Sequence, residues 1–233
     1  MKTFLRFGFL AIALTFFFNA FAVTEIRAQN VIPEILKRME NNRLLLKTLR
    51  SNVTMDKYNP QLDERDVTQG SVIYLPGKNE RDIYIRIDWT KPEQEQLAVV
   101  KGEYTIYRPR LGQVITGKVN SAKNSAGAGN ALSFMSMSKE QLKANYTVKY
   151  LGEEKVSSGT PTWHLQLTPK AAGKYKSAEI WIDGDGMPIQ AKVVENNNDA
   201  TTVLLSNLQR NATINAKVFT IDYPKKSTKI IKG

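Results

Sequence analysis

Four strand patterns follow one another between residues 162 and 208, and they constrain the fold more than any other feature. They cover residues 162–167, 177–182, 189–195 and 201–208. Apolar and polar residues alternate in each pattern, and Gly, Pro, Asn and Asp fill the breaks between them. This arrangement predicts antiparallel strands joined by tight turns. One face of such a sheet is apolar, so another part of the protein must cover it.

Seven further strand patterns precede this module, which brings the predicted total to about eleven. They cover residues 51–58, 69–75, 82–89, 96–100, 103–107, 113–118 and 146–151, and residues 218–221 form a candidate extra strand. Many short strands at regular spacing predict a mainly β protein, built as an antiparallel barrel or a strongly curved sheet. The chain of 233 residues contains neither an internal repeat nor a domain linker. We therefore expect a single domain over residues 23–233.

Residues 30–50 carry the one long helical pattern, ahead of the strands. Its apolar residues recur at steps of three and four and form one stripe: Ile32, Ile35, Leu36, Met39, Leu45, Leu46 and Leu49. Further along, residues 120–130 have the composition of a flexible loop, and residues 131–137 predict an apolar turn or short helix. Ser138 and Gln141 then fit a helix capping box.

These helical segments have two interpretations, which the sequence leaves open. In the first, both simply pack on a β-core. In the second, they close the open mouth of a curved sheet as a lid, whose residues would be Ile35, Leu36, Met39, Leu46, Leu132, Phe134 and Met135.

The N-terminus has the pattern of a secretory signal peptide. Lys2 and Arg6 precede a short apolar run over residues 7–18, and residues 20–22 (Ala-Phe-Ala) offer a cleavage site, with a second one ending at residue 28. A membrane anchor is disfavoured, because a spanning helix needs about 20 apolar residues. Cleavage after residue 22 lowers the formal net charge from +11 to +9. We expect an exported, periplasmic protein that does not bind nucleic acid.

The sequence offers little for catalysis. It contains no cysteine and a single histidine, His164, and it has none of the usual hydrolase, phosphate-loop or dinucleotide-binding motifs. Residues 183–186 (Asp-Gly-Asp-Gly) resemble the start of a calcium loop but lack its closing Glu, and a turn between two strands accounts for them. We expect no catalytic residue, no metal and no cofactor, and hence no enzyme. The basic residues 225–229 predict a solvated tail.

A curved sheet would turn one set of apolar residues inward, and these form the candidate ligand-binding surface: Ile85, Ile87, Trp89, Trp163, Leu165, Leu167, Ile180 and Ile182. One interpretation is a filled β-core. The other is a cavity for acyl chains under the helical lid, since each buried methylene contributes roughly 0.8 kcal/mol. The sequence does not separate the two.

The order of several short motifs resembles that of the periplasmic outer-membrane lipoprotein carriers of the LolA family. The resemblance spans nearly all of the chain after the signal peptide. After the N-terminal amphipathic helix, the motifs are Gly-Ser-Val-Ile-Tyr at 70–74, Asp-Trp-Thr-Lys-Pro at 88–92, Gly102 with Tyr-Arg-Pro at 107–109, Leu-Thr-Pro-Lys at 167–170, Ile-Asp-Gly-Asp-Gly at 182–186, and residues 215–224 around Phe219. Their order, rather than any single motif, carries the resemblance.

The resemblance implies an unclosed barrel of about eleven strands whose concave face is covered by the N-terminal helix and a short mid-chain helix. It also implies a monomeric carrier that takes acylated lipoproteins from an inner-membrane transporter to an outer-membrane receptor. The alternative is a regulatory protein of the same fold that senses lipid or lipoprotein. In one respect the sequence departs from the family: Leu75 precedes Pro76 where many members have an Arg that bonds the lid. Arg81 or Arg86 is expected to replace it.

Overall fold

The computed structural model describes residues 31–76, 83–119, 134, 137–171, 173, 175–225 and 229–232. Residues 31–45 form helix α1, and Lys139–Asn145 form helix α2. The strands are β1 (Leu49–Asn59), β2 (Glu64–Leu75), β3 (Tyr84–Lys91), β4 (Glu95–Val100), β5 (Glu103–Arg108), β6 (Gln113–Lys118), β7 (Tyr146–Lys155), β8 (Pro161–Pro169), β9 (Tyr175–Asp183), β10 (Pro188–Glu195), β11 (Ala200–Arg210) and β12 (Lys229–Lys232).

All twelve strands belong to one sheet, in the order β12-β6-β5-β4-β3-β2-β1-β11-β10-β9-β8-β7. Neighbouring strands are antiparallel except for β12, which runs parallel to β6. The two edge strands, β12 and β7, do not pair with each other in the described part of the chain. The sheet is therefore not closed, which confirms the predicted mainly β fold, an unclosed barrel with helices.

Helix α1 ends at residue 45, whereas the apolar periodicity predicted a helix up to residue 50. Leu49 opens β1 instead, paired with Tyr74 of β2 and Arg210 of β11. The chain between helix and strand is held by Asn211, whose Oδ1 accepts from Lys47 N at 2.7 Å. Strand pairing on both sides of β1 thus overrides the helical periodicity of the last residues.

The C-terminus also differs from the prediction. The candidate strand at 218–221 is wrong, because Ala216–Phe219 form a 3₁₀ turn capped by Asn215, whose Oδ1 accepts from Lys217 N at 3.0 Å. A twelfth strand lies instead at Lys229–Lys232, so Lys229, the last residue predicted for the solvated tail, belongs to the sheet. There Lys229 N donates to Gly112 O at 2.8 Å.

Helix α1 packs on one face of the sheet, which we call the inner face. Ile35, Leu36 and Met39 of the helix are at most 4 % exposed and share one hydrophobic core with inner-face residues. Helix α2 adds Leu142, which is fully buried. Its predicted capping box is confirmed: Ser138 Oγ accepts from Gln141 N at 3.1 Å, and Gln141 Oε1 accepts from Ser138 N at 2.8 Å.

The opposite, outer face is covered over β3–β6 by the segment that follows β11. Phe219 packs against Tyr84 with ring centroids 5.5 Å apart, and Tyr223 packs against Tyr107 at 5.9 Å. The C-terminal segment therefore packs on the outer face of these strands and not on their inner face. None of the helices in the described ranges is long and apolar enough to cross a membrane.

Candidate functional site

Strand register builds a continuous apolar row across the inner face of β3–β6. Ile87 pairs with Leu97, Leu97 with Ile106, and Ile106 with Ile115. Directly paired residues of neighbouring strands point to the same side of a sheet, so all four side chains share the inner face. On β12, Ile231 pairs with Ile115 and extends the row to the sheet edge. Such a row is a ready contact surface for a linear apolar ligand.

The exposure of the inner face differs between its two ends. The end formed by β8–β10, which we call the sealed half, is built mainly of residues that are 0 % exposed, among them Leu165, Leu167, Ile180, Ile182, Ile189 and Ala191. The end formed by β3–β6, which we call the open half, includes half-buried residues: Ile85, Trp89, Leu97, Tyr104, Ile106 and Ile115. The open half therefore keeps apolar surface within reach of solvent or a ligand.

The structure brings the predicted cavity residues together on this face. Five of them are buried (Ile87, Leu165, Leu167, Ile180 and Ile182), and three are half-buried (Ile85, Trp89 and Trp163). Of the predicted lid residues, Ile35, Leu36, Met39 and Phe134 are buried in the same core, and Leu46 packs against its margin. Leu132 and Met135 lie outside the described residues, as does the 120–130 loop.

Sequence reasoning did not single out Leu97, Tyr104, Ile106 and Ile115, which make up most of the open half. Their alternation within β4–β6 was the available signal, because every second residue of a strand shares a face. Alternation alone does not show which face of these strands the C-terminal segment covers.

A turn between β9 and β10, residues 183–187, holds one side of helix α1. Arg38 Nη1 donates to Gly184 O at 3.2 Å, and Asn42 Nδ2 donates to Asp185 O at 3.5 Å. The guanidinium of Arg38 also lies over the Trp163 ring, 5.3 Å from its centroid. We call the contacts of Arg38 and Asn42 with this turn the latch. They join the lid to the sheet by groups that water can replace.

Gly186 is required for this close approach. Its φ of +87° lies in the left-handed region, and a Cβ at this position would lie 2.3 Å from Arg38 O. No side chain fits such a gap, so the turn and the helix meet backbone to backbone.

The same turn is stiffened by Asp183, in the stretch that resembles a calcium loop. Its Oδ1 accepts from Asp185 N at 3.0 Å and Met187 N at 2.8 Å, and its Oδ2 pairs with Arg210. The carboxylate is thus engaged by the turn itself and by β11. Among the described residues, no group of three or more His, Cys, Asp or Glu is placed to hold a metal ion.

The other side of α1 contacts helix α2 through Glu40. Its Oε2 accepts from Lys139 N at 3.2 Å, and its Oε1 pairs with Arg43 Nη2 at 2.6 Å. The hydrogen bond from Arg43 holds the pKa of Glu40 below its ordinary value. The lid is therefore tethered on both sides, by the latch and by α2.

The residue expected to replace the family's lid-bonding Arg is not Arg86. Arg86 lies on the outer face, where it pairs with Asp88 at 2.6 Å and donates to Thr220 O at 3.4 Å, which anchors the C-terminal segment. Arg81 lies outside the described residues. The described Arg that bonds α1 to the sheet is Arg38, which belongs to the lid itself, and its spacing in the sequence gives no signal of that partner.

His164 lies on the outer face, away from the apolar row. Its Nδ1 is 3.0 Å from Glu154 Oε1 and its Nε2 is 2.8 Å from Glu179 Oε2, while its ring stacks on Trp181 at 4.2 Å. Hydrogen bonding to His164 lowers the pKa of Glu179. Both ring nitrogens are engaged, so the arrangement is that of a structural histidine between two carboxylates.

Comparison with known proteins identifies the family to which this architecture corresponds. The family model described as outer membrane lipoprotein carrier protein LolA matches residues 79–222. None of the curated proteins compared with the chain is similar to it in sequence.

Solved structures share the fold at low sequence identity. An uncharacterized conserved protein from Thermus thermophilus is 16% identical, with 87% of this chain and 99% of that chain covered and a TM-score of 0.53. MucB is 14% identical, with 82% and 62% covered and a TM-score of 0.55. The Pseudomonas aeruginosa MucA/MucB complex is 15% identical, with 81% and 60% covered and a TM-score of 0.50. At these identities the structures support the fold alone; the family match, which covers more than half of the sequence, shows that the chain belongs to the LolA family.

Proposed function

We propose that this protein is a periplasmic carrier that binds the acyl chains of lipoproteins on its inner face and moves them from the inner to the outer membrane. The observation that carries the proposal is the open half: an apolar row four strands wide, next to a core sealed by helix α1. Membership of a family described as lipoprotein carriers supports the same role. The proposal includes export, removal of the signal peptide and a monomeric state.

The chemistry of the row suits acyl chains. The half-buried residues Leu97, Ile106 and Ile115 provide apolar contact without charged groups of their own. Covering apolar surface is favourable by roughly 25 cal/mol per Å², and each acyl methylene removed from water contributes roughly 0.8 kcal/mol. Binding then follows chain length and total apolar area rather than the identity of one headgroup. A carrier of many different lipoproteins needs this kind of selectivity.

The lid supplies a means of exchange. Ile35, Leu36 and Met39 fill the core between α1 and the sheet, and each gains roughly 1.5–3 kcal/mol from burial. An acyl chain that enters from the open half can replace these contacts. Moving the helix off the sheet therefore requires little free energy once cargo is bound. Of the polar contacts that remain, the neutral one made by Asn42 contributes about 0.5–1.5 kcal/mol, and those made by the charged Arg38 and Glu40 contribute at most about 3 kcal/mol each. Because the lid is held weakly, the bound lipoprotein can also leave the carrier and pass to the next protein.

The proposed partners are acylated lipoproteins, an inner-membrane transporter that loads the carrier and an outer-membrane receptor that unloads it. We propose a binding protein rather than an enzyme, since the inner face offers apolar contact and His164 lies on the other side of the sheet. A regulatory protein that senses lipid or lipoprotein is the second candidate. It is favoured by the likeness to MucB, a protein whose structure has been solved in complex with MucA.

Binding of a synthetic triacylated lipopeptide to the purified protein tests the proposal. Leu36→Asp places a charge in the core beneath the lid, and we expect its affinity to fall at least tenfold. Ile106→Asp changes a half-buried residue of the open half, so it should weaken binding while the fold persists. Leu62→Asp, at an exposed position, is the matched control and should bind like wild type. Unchanged affinity in a folded Ile106→Asp protein would contradict the proposal.

Transfer separates the carrier from the sensor. A loaded carrier should pass its lipopeptide to acceptor vesicles. A sensor should keep it and instead change its affinity for a protein partner.

A further inference from the structure

The C-terminal end of helix α1 exposes two leucines side by side. Leu44 is 66% exposed and Leu45 is 71% exposed, although both lie in the last turn of the helix that seals the core. Isolated exposed leucines are common on proteins, but an adjacent pair at a helix end is a small apolar projection.

The structure fixes this projection in place. Asn211 N donates to Thr48 O at 2.8 Å, and Thr48 Oγ1 donates to Ala212 O at 2.6 Å. Asn211 Nδ2 also donates to Leu45 O at 3.4 Å, so the last turn is tied to the end of β11. The leucines are thus presented by a defined backbone.

The charges around the leucines are unbalanced. Lys37 and Lys47 are exposed, and no ion pair holds either of them within the described ranges. Lys37 lies two helical turns before Leu44 on the same side of α1, and Lys47 follows the helix end. Among the nearby acids, Glu40 pairs with Arg43 and Glu34 with Arg38, and the exposed Glu140 is offset by its neighbour Lys139. The local excess of charge is therefore positive.

We propose that this α1 end surface (Leu44, Leu45, Lys37 and Lys47) docks on an anionic phospholipid bilayer. Two leucines are too little apolar surface for a specific protein interface, which buries on the order of 1,000 Å². They suffice as an interfacial anchor when basic residues beside them meet anionic headgroups. The docking brings the lid end of the molecule to the membrane. Docking does not depend on cargo. The inference therefore goes beyond the proposed function and is tested independently of it.

The chain contains its own control for this inference. Leu62 is 65% exposed, almost the same fraction as Leu44, but it lies in the turn after β1, at the far end of that strand. An eleven-residue strand spans about 36 Å, so Leu62 and the α1 end surface do not contact one membrane patch together. Asp63, Glu64 and Asp66 follow Leu62, and they would be repelled by anionic lipid.

Co-sedimentation with vesicles tests the inference. The full chain is expressed so that export removes its signal peptide, and the exported protein is purified without cargo and mixed with vesicles of phosphatidylglycerol and phosphatidylcholine or of phosphatidylcholine alone. We expect binding to the anionic vesicles that falls with added salt. Leu44→Asp/Leu45→Asp should weaken it at least tenfold, Lys37→Glu/Lys47→Glu should weaken it to a similar degree, and Leu62→Asp should leave it unchanged. All replaced side chains are exposed, so thermal melting should match wild type.

Three results would overturn the inference: no binding of wild type to anionic vesicles, equal binding to both vesicle types, or equal loss in Leu62→Asp. Lipopeptide binding measured without vesicles keeps the two proposals apart. The Leu44→Asp/Leu45→Asp protein should retain it, whereas Ile106→Asp should weaken lipopeptide binding and still sediment with anionic vesicles.

Discussion

At Gly186 the backbone of a turn lies against the backbone of helix α1, and the lid is seated by this contact. Replacing Gly186 with Ala would place a Cβ 2.3 Å from Arg38 O at a residue whose φ is +87°. The helix or the turn must shift, so we expect Gly186→Ala to lower the free energy of unfolding by about 1–3 kcal/mol. We also expect faster amide hydrogen exchange in residues 31–45. Urea unfolding and exchange mass spectrometry measure the two effects.

Gly184, two residues earlier in the same turn, is the matched control. A Cβ there meets no atom within 4 Å, and no left-handed φ has to be strained. Gly184→Ala should therefore leave both stability and exchange near wild type. If the two variants behaved alike, the seating of α1 on this turn would not be what holds the helix.

At the scale of elements, α1 and α2 are joined by a carboxylate, which makes the contact sensitive to acid. Arg43 lowers the pKa of Glu40 from its ordinary value of 4.5, so the folded state favours the ionised form. The stabilisation is complete at pH values above 4.5 and is lost as the pH falls through the lowered pKa of the folded state. Glu40→Gln should therefore be less stable than wild type at neutral pH, with a difference that shrinks in acid.

Urea unfolding of both proteins at neutral pH and at several acidic values measures this difference. Other carboxylates titrate equally in the two proteins, so the comparison isolates Glu40. A gap that stayed constant down to the most acidic sample would mean that Glu40 acts through shape or polarity and not through its charge.

The elements themselves were largely predictable from the sequence, because alternation is a local property. Strands β3 to β6 and β8 to β11 lie close to their predicted positions, and Ser138 caps α2 as expected. The end of α1 was not predictable. Leu49 fits the helical stripe, but pairing with Tyr74 and Arg210 draws it into β1, and that pairing depends on residues far away in the sequence.

At the scale of the whole molecule, the sequence indicated an apolar inner face but not where it opens. Leu165 and Ile106 both alternate in strands, yet one is sealed and the other half-buried. The difference comes from where α1 packs on the sheet, which no local pattern contains. The latch was unpredictable for the same reason, since Arg38 and Gly184 are 146 residues apart.

The central claim is that acyl chains bind on the inner face, and tryptophan quenching tests it most directly. The chain has three tryptophans: by strand register Trp89 and Trp163 lie on the inner face, whereas Trp181, itself buried, lies on the outer face beside His164. A lipopeptide with brominated acyl chains quenches only tryptophans that it contacts. We predict quenching in Trp181→Phe and none in Trp89→Phe/Trp163→Phe, where Trp181 alone remains. Quenching that persists in the Trp181-only protein would place the acyl chains on the other side of the sheet and contradict the account.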